Sequence, residues 1–122
     1  MSLRIEPNEK YLLISFSDNT INQTSIEQLK EFISTADKEN YVVLDFSNIT
    51  SVNKEMLSAL EGQLQQLMNT DGFIVFASSD EKINTDIAAT FNDPDLLILP
   101  TVDEAVDYIF MDEIENEIGG EG

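Results

Sequence analysis

Four stretches of the chain carry apolar residues in alternation or in unbroken runs: Tyr11–Phe16, Tyr41–Phe46, Gly72–Ala77 and Leu96–Leu99. Each is bounded by polar or turn-forming residues, which predicts β-strands. The middle two are apolar at nearly every position, as strands are when helices cover both faces of their sheet. Leu3–Glu6 predicts a short first strand that turns back through Pro7, Asn8 and Glu9.

Between the strands the apolar period lengthens to that of a helix. Ile26, Leu29, Ile33 and Ala36 share one face, and Thr24 with Glu27 predicts a capping box at the start. Leu57, Leu60, Leu64 and Leu67 mark a second helix, capped by Asn53 and ended near Asn69–Gly72. Ile83, Ile87 and Phe91 mark a shorter third helix, stopped before Pro94. Thr101 and Glu104 form a second capping box, opening a last helix through Val102, Ala105, Val106 and Ile109.

The resulting order, ββαβαβαβα, is an α/β arrangement. It predicts a mostly parallel sheet of about five strands flanked by helices, with right-handed crossovers and one hairpin at the start. A chain of 122 residues accommodates one core. We therefore expect a single domain over residues 1–111, followed by an acidic extension over 112–122 in which Ile114 and Ile118 either continue the last helix or fray.

Charge narrows the partners. Asp and Glu outnumber Lys and Arg by 24 to 6, a net charge of -18. The extension contributes five of these acids, so most of the acidity belongs to the domain. Phosphate backbones and anionic lipid surfaces repel such a protein, whereas a basic protein surface complements it. A plainer account is that acidity keeps the protein in solution.

There are no cysteines and no histidines. Disulfides, thiolate nucleophiles, thiolate metal sites, and the commonest metal ligand and general base are thereby excluded. No segment approaches the roughly 20 apolar residues of a membrane span, and Met1–Arg4 lacks the apolar core of a signal peptide. The expected location is the cytoplasm, with no cofactor, no metal and no catalytic residue.

The stretch from Val42 to Leu60, with Asp45-Phe46-Ser47 at the strand end and Asn53-Lys54-Glu55-Met56 at the helix start, resembles the STAS domain, the family of anti-sigma factor antagonists. The resemblance runs from Tyr11 to Phe110 and includes Thr101-Val102-Asp103-Glu104-Ala105, similar to the family's Thr-x-x-Glu-Ala. It implies a STAS-like fold and a non-catalytic regulatory or assembly module in a bacterial cell. Its partner would be an anti-sigma factor, a related kinase or, in a second reading, the ATPase of a membrane transport complex.

This sequence departs from the family's motif where the chemistry lies. Asn53 stands at the motif's Asp, Lys54 and Glu55 at its Ser and Ser/Thr, and Met56 at its Gly. The resemblance implies that relatives are phosphorylated on the hydroxyl at this helix start, which weakens binding to the same partner. Here no hydroxyl remains. Glu55 offers a carboxylate to the free N–H groups of the helix start, a partial imitation of phosphate with one charge and two oxygens. It is also simply a favourable first-turn residue. Lys54, a cation that opposes the helix dipole, reads as a solvated side chain.

Thr50, Ser51 and Ser58 are the substitute phosphoacceptors, with plainer roles as loop residues or, for Ser58, as a small residue admitting the helix to the sheet. Met56 reads as packing or as an adaptable contact. The expected partner-binding set is Ser51, Asn53, Lys54, Glu55, Met56 and Ser58, with Asp18–Asn22 as a lesser contributor.

A response-regulator receiver shares this size, acidity and order. Its chemistry needs an acidic pair after the first parallel strand and a Lys before a late Pro; here Ser17-Asp18-Asn19 supplies one carboxylate, and Leu99 precedes Pro100. Asp45 is better explained as a strand-end residue that bonds the following turn. Gly-rich phosphate loops, nucleophile elbows and Ca²⁺ loops are absent from the sequence.

Overall fold

The computed structural model describes residues 3–93 and 96–119, the last seven by their backbone alone. Strands β1 (Leu3–Pro7) and β2 (Leu12–Phe16) form an antiparallel hairpin in register Leu3 to Phe16 and Pro7 to Leu12, closed by Asn8 N–H donating to the Tyr11 carbonyl at 2.9 Å. Pro7 ends an edge strand, where its missing N–H leaves no ladder bond unmade. Then follow α1 (Gln23–Thr35), β3 (Glu39–Asp45), α2 (Lys54–Leu67), β4 (Met68–Ala77), α3 (Glu81–Phe91), β5 (Leu97–Leu99) and α4 (Val102–Gly119).

The five strands lie side by side in sequence order, and β2 through β5 are parallel. A march in one direction with crossovers of one hand puts α1, α2 and α3 on one face of the sheet. The main core forms there: Ile14, Val42, Leu44 and Phe76 meet Leu29 of α1, Leu57, Leu60 and Leu64 of α2, and Ile83 and Ile87 of α3. The chain leaves β5 onto the other face, where α4 buries Ala105 and Ile109 against Val43 and Val75. Val42, Val43 and Leu44 are all buried because they alternate between these two cores.

Two boundaries differ from those read in the sequence. The cap of α1 is Asn22, not Thr24: its Oδ1 accepts the N–H of Ser25 at 2.9 Å, and the helix is already under way at Gln23. The end of α2 is Leu67, and Met68 begins β4 directly, so the polar run Asn69–Gly72 belongs to the strand as an irregularity opposite Asn40. The third helix ends through Asn92 in the left-handed conformation (φ 45°), a geometry that Asn tolerates; Pro94 lies outside the described residues. The second capping box holds on its threonine side, Thr101 Oγ1 accepting Glu104 N–H at 3.1 Å. The backbone of α4 continues through the acidic segment to Gly119, whereas the side chains of Ile114 and Ile118 lie outside the described residues.

Because β2 to β5 run parallel, the loops that leave their C-terminal ends gather along one edge of the sheet, the edge where open α/β sheets place their binding loops. The start of α2 stands there.

Candidate functional site

Phe46 leaves β3 with its N–H bonded to the Ala77 carbonyl at 2.9 Å, and its ring packs edge-on against Phe16 and Phe76. Asp45, the last residue of the strand, accepts Ser47 N–H at 3.0 Å, the turn-bonding role expected of it. Ile49 N–H returns to the Phe46 carbonyl at 2.9 Å, and the buried Ile49 side chain pins the loop to the core.

From Thr50 onward the loop rests on the β2–α1 connection. The Asn19 carbonyl accepts Thr50 N–H at 2.8 Å, Ser51 N–H at 3.4 Å and the Thr50 hydroxyl at 3.4 Å. Asn48 Nδ2 reaches the Phe16 carbonyl at 3.5 Å. Within the β2–α1 loop, Asn22 Nδ2 donates to Asp18 Oδ2 at 2.9 Å while its Oδ1 caps α1. The two segments singled out in the sequence, Ser51–Ser58 and Asp18–Asn22, therefore adjoin.

Asn53 caps α2 as expected: its Oδ1 accepts Glu55 N–H at 2.7 Å and Met56 N–H at 3.4 Å, and Leu57 N–H closes the first helical bond to the Asn53 carbonyl at 2.9 Å. Lys54, Glu55 and Met56 thus occupy the first three helical positions. Ser51, Asn53, Lys54, Glu55 and Ser58 are exposed, and Leu57 beneath them is fully buried. Four buried leucines hold this helix down, each contributing about 1.5–3 kcal/mol, against about 1 kcal/mol for the cap. The tip is therefore an exposed feature on a rigid support.

One side chain differs from a sequence reading, and another takes the first of the two roles read for it. Ser58 faces solvent, so it does not serve to bring the helix close to the sheet. Met56 is half-buried and packs against the main core, which assigns it mainly to packing. The capping role of Asn22 and its bond to Asp18 were missed; its position three residues before Ser25 is the usual spacing of a cap and was the available signal.

Beside the tip, Val52, Lys54, Leu57, Asp86, Ala89 and Thr90 line a notch of about 230 Å³ between α2 and α3. Small-ligand sites usually run to about 300–1,000 Å³, so this notch is a surface irregularity. Among the described residues no cluster of three or more acidic side chains is arranged to hold a metal ion, and no helix is long and apolar enough to cross a membrane.

No family model and no curated protein matches the sequence. Solved structures do. The Bacillus anti-sigma factor antagonist SpoIIAA in its unphosphorylated form is 15% identical, with a TM-score of 0.65, over 88% of this chain and 96% of that one. An anti-sigma factor antagonist from Mycobacterium paratuberculosis is 21% identical, with a TM-score of 0.63, over 88% and 92%. A likeness of 14% identity and TM-score 0.54 to SLC26A9 covers 91% of this chain but 21% of that protein. The sheet order, the opening hairpin, the placing of α1–α3 on one face and α4 on the other, and these likenesses agree: the chain has the STAS-like fold of the anti-sigma factor antagonists.

Proposed function

We propose that this protein is a non-catalytic regulatory or assembly module that binds a basic protein surface through the tip of α2, with the Asp18–Asn22 loop as its flank. The observation that carries the reading is that Ser51, Asn53, Lys54 and Glu55 stand exposed above the buried Leu57, on a loop tied at its base to Asn19. A surface held in one shape loses little entropy when a partner docks. The surrounding negative charge draws in a basic partner and suppresses acidic ones.

SpoIIAA is known in phosphorylated and unphosphorylated forms. In this chain the second helical position is Glu55. A carboxylate there cannot be removed, so the module carries a permanent charge in place of a reversible one. Binding is then governed by availability and ionic conditions, not by modification of that position.

Pull-down from the native cell with wild-type and Glu55→Lys baits tests the reading. A partner held by the wild-type protein and lost from the variant supports it; equal retention by both contradicts it. The likeness to part of SLC26A9 favours a second reading, an accessory module of a transport complex. Co-purification of a membrane ATPase with the wild-type bait distinguishes that reading from an anti-sigma factor or kinase partner.

A further inference from the structure

Among the described residues, the large apolar side chains that stand exposed all fall within one turn of α4: Tyr108 (42%), Phe110 (42%) and Met111 (63%). Apolar residues exposed singly are ordinary on a protein surface, whereas a group of them on one helix marks a contact. A helix that covers one face of a sheet needs one apolar side. That side of α4 is supplied by Ala105 and Ile109, buried against Val43 and Val75. The trio lies on the rest of the helix circumference.

The sheet holds two of the three in place. The Tyr108 ring packs edge-on against Phe73 of β4 with centroids 5.9 Å apart, and the Phe110 ring packs edge-on against Tyr11, just before β2, at 6.5 Å. At 3.6 residues per turn, Tyr108 and Phe110 flank α4 on opposite sides, and Met111 lies between them on the side turned from the sheet. The three form an apolar band across the outer surface of the helix, with two anchored rings and an adaptable thioether at the crest.

Charge of one sign borders the band. Asp103, Glu104 and Asp107 are exposed on the turns before it, and no lysine or arginine follows Lys82 in the sequence. This selects the occupant. A second copy would bring two acidic surfaces without cations together, and an anionic lipid surface would repel the same acids. A basic protein partner satisfies both parts, with apolar side chains on the band and cations on the carboxylates. The outer surface of a helix offers no backbone pairing to an extended segment, so the segment that docks must bond its own backbone, as a helix does.

We propose that the outer surface of α4 is a second docking site, which takes a basic amphipathic helix of a partner protein. The apolar stripe of that helix lies along Tyr108, Met111 and Phe110, and its basic flank faces Asp103, Glu104 and Asp107. Because α4 and α2 lie on opposite faces of the sheet, the site is separate from the α2 tip and stands whether or not the tip binds a partner.

The test is titration of ¹⁵N-labelled protein with a helical peptide of about 15 residues, leucine along one side and lysine elsewhere. A control peptide has the same composition with its leucines scattered around the helix. Saturable amide shifts centred on residues 107–111 are expected with the first peptide only. Met111→Glu separates apolar docking from plain charge attraction, because it adds a negative charge while it removes the crest of the band. The Kd should rise by about tenfold in this variant, and change by less than about twofold in Glu55→Lys at the α2 tip. An unchanged or lower Kd in Met111→Glu, equal binding of the control peptide, shifts spread over the whole acidic surface, or no saturable shift at all would overturn the proposal. So would the same local shifts on raising the protein concentration without peptide, which would make a second copy the occupant.

Discussion

The backbone N–H of Thr50 donates to the carbonyl oxygen of Asn19 at 2.8 Å, joining the loop before α2 to the loop after β2. Through this bond two segments 31 residues apart become one surface. The charge of Asp18 and the exposed start of α2 therefore share one rigid frame, and the order needed for docking is set by folding.

The frame depends on the cap of α2. Asn53→Ala removes the acceptor for the N–H groups of Glu55 and Met56 and should destabilise the protein by about 1 kcal/mol, lowering Tm by about 3–5 °C. Asn53→Asp keeps an acceptor oxygen and should stay close to wild type. Thermal melts followed by circular dichroism decide; indistinguishable melts for Ala and wild type would mean that the cap bond carries no weight.

The same cap shows what was readable in advance. Asn53 sits immediately before a clean i, i+3, i+7 row of leucines, and local propensity agrees with the burial that follows, so the start of α2 was legible. At α1 two cap signals compete within three residues. Asn22 prevails over Thr24 because the buried Ile21 fixes where the chain turns into the helix, which is tertiary information. The beginning of β4 was illegible for a similar reason: Asn69-Thr70-Asp71-Gly72 is turn composition, and only pairing of Met68 with Glu39 across a bulge makes it strand. The contact between the two tip loops, made by the backbone carbonyl of Asn19, leaves no mark on side-chain pattern at all.

Gly72→Ala should be poorly tolerated. The new Cβ would meet two backbone carbonyl oxygens, which cannot rotate away as a side chain would. A loss of about 1–3 kcal/mol is expected, measured as a lower urea midpoint at an unchanged m-value. An unchanged midpoint would show that the bulge relaxes freely.

Beside that bulge, burial first and the nearby negative charge of Asp37 second raise the Glu39 carboxyl above its ordinary pKa of 4.5. The native state therefore holds this proton more tightly than the unfolded chain does. The stability linked to it is complete below the ordinary pKa and is lost as pH rises through the raised native value. Glu39→Gln should accordingly raise Tm at about pH 7 and lose that advantage at about pH 4, where Glu39 is largely protonated in both states. An equal effect at both pH values would show that Glu39 acts through packing and not through its charge.

Phosphopeptide mapping of the protein from its native cell addresses the permanence of the tip charge. Thr50, Ser51 and Ser58 are exposed hydroxyls near the tip. If Glu55 supplies the charge, all three should be recovered mainly unmodified. High occupancy by phosphate at any of them would restore a reversible switch and remove the argument for a fixed one.

The most direct test of the central proposal, that the α2 tip is the partner-binding surface, is the Kd of the native partner for wild-type protein and Glu55→Lys at low and moderate salt, about 50 mM and about 300 mM. We expect the wild-type Kd to rise with salt, and the variant to bind more weakly with a flatter salt dependence. Identical Kd values and identical salt slopes for the two proteins would contradict the account.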